Sequence, residues 1–142
     1  MTTIKQLLNE KGNDVFSIRP DATVYDAIKE MSDRDIGALM VVENGRPVGI
    51  VTERLYAREI VLKGRTSTST LVRDVMERNV IYAKPDQTVE ECMAVMTKKR
   101  VRHLPVISGD ILVGVISIGD LVNSIITHHE FTIEQLIHYI NF

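Results

Sequence analysis

Pro20-Asp21-Ala22-Thr23-Val24 and Pro85-Asp86-Gln87-Thr88-Val89 stand 65 positions apart and differ at one residue. The same offset carries Val15, Met31, Leu39, Val41, Val48 and Gly49 onto Val80, Met96, Leu104, Val106, Val113 and Gly114. That makes ten identities in the 41 ungapped positions from Val15 to Leu55, where average residue usage gives roughly two or three by chance. The chain is a duplicated unit. A unit of this length cannot bury its apolar face alone, so the copies are expected to close on each other about a pseudo-twofold, with clefts between them.

Each copy is expected to run strand, helix, strand, strand, helix. Thr23 and Thr88 each precede an apolar stretch of helical period and are followed three positions on by Asp26 and Glu91, the spacing of a capping box. Ala27, Ile28 and Met31 then share a face, as do Cys92, Met93 and Met96. Apolar strands are expected over Ala38 to Val42 and Val48 to Val51, joined through Asn44-Gly45, a tight-hairpin pair. Their counterparts are Leu104 to Ile107 and Ile111 to Ile116. These strands are apolar nearly throughout, so both faces should be covered, one by helices and one by the other copy.

A short amphipathic lead-in precedes each copy: Ile4, Lys5, Gln6, Leu7 and Leu8 match Val72, Arg73, Asp74, Val75 and Met76 at an offset of 68. Lys63 to Thr70 is polar and rich in Ser and Thr, a linker by composition. These signals divide the chain into a first repeat with its lead-in, 1–65, a second with linker and lead-in, 66–128, and a terminal helix, 129–142. That helix is expected to start at Thr132-Ile133-Glu134-Gln135 and to carry Ile133, Leu136, Ile137 and Ile140 as one apolar stripe, packed on the same core or used as a dimer contact.

Bulk properties narrow the function classes. The chain has 142 residues, 44% apolar and 25% charged, enough to bury one core. Apolar runs such as the six residues from Ile111 to Ile116 fall far short of the roughly 20 of a membrane span. Met-Thr-Thr-Ile-Lys does not open a signal peptide, and a cytoplasmic protein is expected. Cys92, the only cysteine, falls in an apolar helical pattern and reads as a small core residue. A net charge of −2 lacks the basic excess that drives duplex binding, so nucleic acid is a poor partner. Phosphate-loop and nucleophile-elbow motifs do not occur, and no enzyme activity is expected. His128, His129, Glu130 and His138 do not have metal-ligand spacing on a helix, so no metal is expected either.

Chemistry concentrates where the last strand of each copy becomes its final helix. Copy two reads Val113-Gly114-Val115-Ile116-Ser117-Ile118-Gly119-Asp120, with a hydroxyl at the helix N-cap and a carboxylate in the first turn. Free N–H groups and partial positive charge at a helix start suit a phosphate, and a carboxylate can accept both hydroxyls of a ribose. The same two residues also read simply as a helix cap. Copy one keeps the hydroxyl as Thr52 but has Leu55 in place of Asp120. Leucine cannot accept a diol, so two unequal sites are expected.

Taken together, the repeated Pro-Asp-x-x-Thr-Val, the strand Arg102-His103-Leu104-Pro105-Val106 and the stretch Gly114 to Asp120 resemble a tandem pair of cystathionine-β-synthase (CBS) domains over essentially the whole chain. The resemblance implies an α+β fold of two β-α-β-β-α repeats packed sheet to sheet, with a regulatory role. It implies an adenine nucleotide as regulatory ligand (AMP, ADP, ATP or NAD, with S-adenosylmethionine possible in the family) bound in the clefts between copies. It also implies a homodimer. By the same resemblance Ser117 would meet phosphate, Asp120 ribose, and Asn79, Val80 and Ile81 adenine, with Arg102, His103, Leu104, Pro105 and Gly119 completing the stronger site. The weaker site would comprise Phe16, Ile18, Gly37, Ala38, Leu39, Thr52 and Arg54.

Lys98, Lys99 and Arg100 lie just before Arg102 and give a local positive field; they also read as a solvated helix end, and His103 as a surface histidine. The function expected is a stand-alone adenylate sensor that signals to a separate, unidentified protein. A scaffold with vestigial clefts is the alternative.

Overall fold

A computed structural model describes residues 2–140. Met1, Asn141 and Phe142, which bound the first and last expected segments, lie outside the described residues. The offset of 65 reappears in the elements. Helix α2 (Val24–Arg34) has its mate in α5 (Val89–Lys99), strand β2 (Ala38–Glu43) in β4 (His103–Ser108), and β3 (Arg46–Thr52) in β5 (Ile111–Ser117). The remaining elements are α1 (Ile4–Lys11), β1 (Ser17–Ile18), α3 (Glu53–Tyr56) continued by a π-helical turn over Ala57–Val61, α4 (Val72–Val75) and α6 (Ile118–Ile140).

Local chemistry accounts for these boundaries. Thr23 Oγ1 accepts from Asp26 N–H at 3.1 Å and Asp26 returns the bond to Thr23 N–H at 3.3 Å, so two orphan donors at the start of α2 are satisfied. Thr88 caps α5 through Glu91 N–H at 3.1 Å. Thr3 and Gln6 form a second reciprocal box, at α1. The β2–β3 hairpin turns at Asn44 (φ 52°) and Gly45 (φ 77°), between the paired Glu43 and Arg46. Two consecutive left-handed residues are what a two-residue type I′ turn needs, and Asn-Gly tolerates them.

The chain folds into two compact units, each built from the body of one repeat and the lead-in that precedes the other. One comprises Val15–Ile81; the other comprises Met1–Asp14 with Tyr82–Phe142. Each lead-in therefore packs with the other copy. The reason is visible in the Pro-Asp turns. Ile4 and Lys5, the first residues of α1, donate their N–H groups to Gln87 O (2.8 Å) and Pro85 O (2.9 Å). In the other unit, Val72 and Arg73 at the start of α4 donate to Ala22 O (2.8 Å) and Pro20 O (3.0 Å). The repeated turn thus satisfies helix-start donors that α1 and α4 could not satisfy internally.

In the Val15–Ile81 unit, β1 runs parallel and β3 antiparallel to the central β2. Ala27, Met31, Leu39, Val41, Val51, Val72 and Met76 form its core, and Val24, Ile60 and Val75 a second cluster. In the other unit the β4–β5 hairpin is extended by a parallel bridge from Ala83 to Val106. Buried there are Ile4, Leu7, Leu8, Cys92, Met96, Leu104, Ile116 and Leu121.

The C-terminal region departs from expectation. One helix, α6, runs 23 residues from Ile118 to Ile140, and no separate helix starts at Thr132. Between Asp120 and Ile140 there is no Gly or Pro to interrupt it. Its Ile133, Leu136, Ile137 and Ile140 do not pack on the core but stay exposed.

Candidate functional site

Strand β5 delivers Ser117 to the start of α6 and places Asp120 one turn on. Ser117 Oγ accepts from Asp120 N–H at 3.1 Å, and Asp120 Oδ2 accepts from Ser117 N–H at 2.8 Å. The capping arrangement read from the sequence is therefore formed. A third partner arrives from α1: Lys11 Nζ donates to Asp120 Oδ2 at 2.8 Å and to Val115 O at 2.8 Å. The bonds that Ser117 N–H and Lys11 donate to the Asp120 carboxylate both fall on Oδ2; Oδ1 accepts none from the described residues. Burial pushes the Asp120 carboxyl up, but the Lys11 ammonium and the Ser117 hydrogen bonds outweigh it and hold the group below the ordinary aspartate value. The result is a partly buried, ionised carboxylate with one oxygen that no described residue bonds.

Around it, Arg102 and His103 are brought close to Ser117. His103 pairs with Ser117 across β4 and β5, and Arg102 O accepts from Ile118 N–H at 2.9 Å. Leu104 and Pro105 turn out differently: both are buried, and Pro105 O is taken by Ala83 N–H at 2.8 Å, so their side chains belong to the core. A Cβ on Gly119 would meet only Ser117 Oγ, at 3.6 Å. Asn79, Val80 and Ile81 belong to the other compact unit; Asn79 N–H is bonded to Glu77 Oε1 at 2.9 Å. A cleft of about 440 Å³ opens beside Asp120 between α1 and α6, with Lys11, Asn123, Ser124, Thr127 and His128 in its wall. Neither Lys11 as a partner nor this cleft is visible in the sequence, because only the fold brings residues 109 positions apart together.

In copy one Thr52 Oγ1 accepts from Leu55 N–H at 3.0 Å, the same cap without a carboxylate. Leu55 packs against the Val24, Ile60 and Val75 cluster. Gly37 O accepts from Glu53 N–H at 3.2 Å, the counterpart of the Arg102 to Ile118 bond, and Ala38 pairs with Thr52. Leu39 is fully buried, Phe16 and Ile18 pack on the core, and the Arg34 guanidinium lies 4.1 Å from the Phe16 ring centre. Phe16, Ile18 and Leu39 thus have apolar packing roles that explain their residue types without a ligand. Arg54 is exposed at the start of α3.

With this geometry in hand, the chain compares closely with known proteins. The CBS domain model matches twice, over residues 4–61 and 72–127. The mitochondrial CBS domain-containing protein CBSX3 of Arabidopsis thaliana is 39% identical over 98% of this chain and 72% of its own. The CBS domain-containing protein YhcV of Bacillus subtilis is 29% identical over 85% of this chain and 84% of its own. A solved protein with CBS domains from Burkholderia ambifaria superimposes with a TM-score of 0.86 at 48% identity, covering 89% of this chain and 95% of the other. The chain belongs to the CBS domain family and is a CBS-domain protein of the regulatory type. CBS domains as a class bind adenosine ligands. Among the described residues no helix is long and apolar enough to cross a membrane.

Proposed function

We propose that the protein senses an adenine nucleotide at the start of α6 and passes its occupancy to a separate protein. The observation that carries this reading is Asp120: an ionised, partly buried carboxylate whose Oδ1 accepts no hydrogen bond from the described residues, beside the Ser117 hydroxyl. Such a group suits a ribose diol, and the adjacent helix start suits phosphate. Arg102 and His103 at the neighbouring strand end would add positive charge. The copy-one position, with Leu55 in its apolar cluster, binds weakly or not at all. Binding to one conformation shifts the population that a partner reads.

The active form is proposed to be a homodimer. On α6, Val122, Ile126, His129, Ile133, Leu136 and Ile140 follow one another at intervals of four, three, four, three and four residues. This is the spacing of a coiled-coil seam, and its five apolar members are exposed. A second copy of the same helix is the occupant proposed for it.

A thermal-shift series with AMP, ADP, ATP, NAD and S-adenosylmethionine tests the sensing reading, since a ligand that binds only the folded state raises its midpoint with concentration. A rise with at least one of them is expected. A flat response to all five would favour a scaffold with vestigial sites.

A further inference from the structure

We propose that Lys11 is a displaceable latch on Asp120 that makes the site select phosphorylated over unphosphorylated adenosine. The inference rests on the reading of Asp120 as the ribose-binding group. A ribose diol gripped through both carboxylate oxygens needs Oδ2 as well as Oδ1. In the structure Oδ2 accepts from Ser117 N–H with one lone pair and from Lys11 Nζ, at 2.8 Å, with the other, and the same ammonium is anchored on Val115 O. Ribose and Lys11 therefore compete for one oxygen.

The outcome of that competition depends on where the ammonium goes. Lys11 is the last residue of α1, and it lines the cleft together with Asp120, so it can leave the carboxylate without unpacking the core. Glu10 also lines that cleft, but as the preceding helical residue it projects about 100° away from Lys11. A nucleoside displaces the ammonium and offers it no anion in return. A nucleotide brings a phosphate, and an ammonium near phosphate regains a charge-assisted contact. Lys11 thus penalises adenosine and spares AMP, and α1, whose end it is, changes its tether when ligand arrives.

Calorimetry with adenosine and AMP on wild type, Lys11→Met, Lys11→Gln and Lys11→Arg tests this. In Lys11→Met and Lys11→Gln the preference for AMP over adenosine should fall by roughly tenfold or more, the scale of one charge-assisted bond, with adenosine binding tighter than in wild type. Lys11→Arg should restore the preference. An NMR titration of the ligand-free chain should show the Asp120 carboxyl moving up in Lys11→Met. An unchanged AMP-to-adenosine ratio, or an unmoved Asp120, overturns the latch and leaves the Asp120 site standing. Failure of wild type to bind either ligand overturns both.

Discussion

Gly49 lies so close to Glu77 that a Cβ on it would stand 2.8 Å from the Glu77 carbonyl oxygen. The approach is fixed from both sides, since Ile50 and Glu77 exchange N–H to carbonyl bonds at 3.0 and 2.9 Å. Its repeat mate Gly114 is approached by Leu8, whose Cδ2 would be 2.7 Å from an added Cβ. Each strand needs its glycine to accept a lead-in segment at van der Waals contact.

The two glycines should therefore respond unequally to alanine. In Gly49→Ala the clash is with backbone held by two hydrogen bonds, and a loss of about 1–3 kcal/mol is expected, the range for overpacking. In Gly114→Ala the obstacle is the end of a flexible side chain, so the loss should be smaller. Urea unfolding of both variants checks the order, and adding Leu8→Ala should relieve Gly114→Ala but not Gly49→Ala. Equal losses, unaffected by Leu8→Ala, would contradict the packing described.

The Lys11–Asp120 pair has a defined pH signature. A carboxyl held below its ordinary value of about 3.9 binds protons less readily folded than unfolded, so its contribution is complete above that range. It is lost as the pH falls through the depressed folded value. Wild type should exceed Lys11→Met in stability by about 0.5–1 kcal/mol near neutrality, as for a partly exposed pair. That gap should close in acid. A gap that is constant from neutral pH into strong acid would show that the methionine acts by some other route.

Cys92 should be inert in the native protein. It is buried in α5, and burial, with the nearby Glu91 carboxylate adding to it, pushes its thiol up to about 11. Since the thiolate is the nucleophile, alkylation at neutral pH should proceed only at the rate of unfolding. Rapid stoichiometric labelling without loss of structure would contradict its placement.

The α6 seam predicts a self-association that two substitutions abolish. Ile133 and Leu136 are 54% and 56% exposed, so Ile133→Glu with Leu136→Glu should leave the fold intact. Sedimentation should give a dimer for wild type and a monomer for the double variant. A wild type that stays monomeric at high concentration would sink the seam.

Much of the fold is legible in the sequence because it is written in local signals used twice: Thr caps before Val24 and Val89, Asn44-Gly45 in the first hairpin, and apolar strands 65 positions apart. The exchange of lead-ins is not legible, since an offset of 68 says that two segments are alike and nothing about which turn each docks on. The site is half legible. Ser117 and Asp120 declare themselves by spacing along one helix start, whereas Lys11 reaches Asp120 only through tertiary packing. Leu39 and Leu104 enter the sites only through the family resemblance; both are buried in strands whose neighbouring residues are buried on either face, so burial alone accounts for their residue type. The continuity of α6 is hidden by Thr132, which carries cap chemistry that a helix interior can overrule when nothing breaks the backbone.

On the proposed reading, one carboxylate in the second copy makes this chain an adenylate receptor. Isothermal titration of AMP and ATP into wild type and Asp120→Ala measures this most directly. One adenylate per chain is expected in wild type, with a loss of roughly a hundredfold or more in Asp120→Ala, two charge-assisted bonds being removed. Two equal sites per chain, both surviving Asp120→Ala, would contradict it.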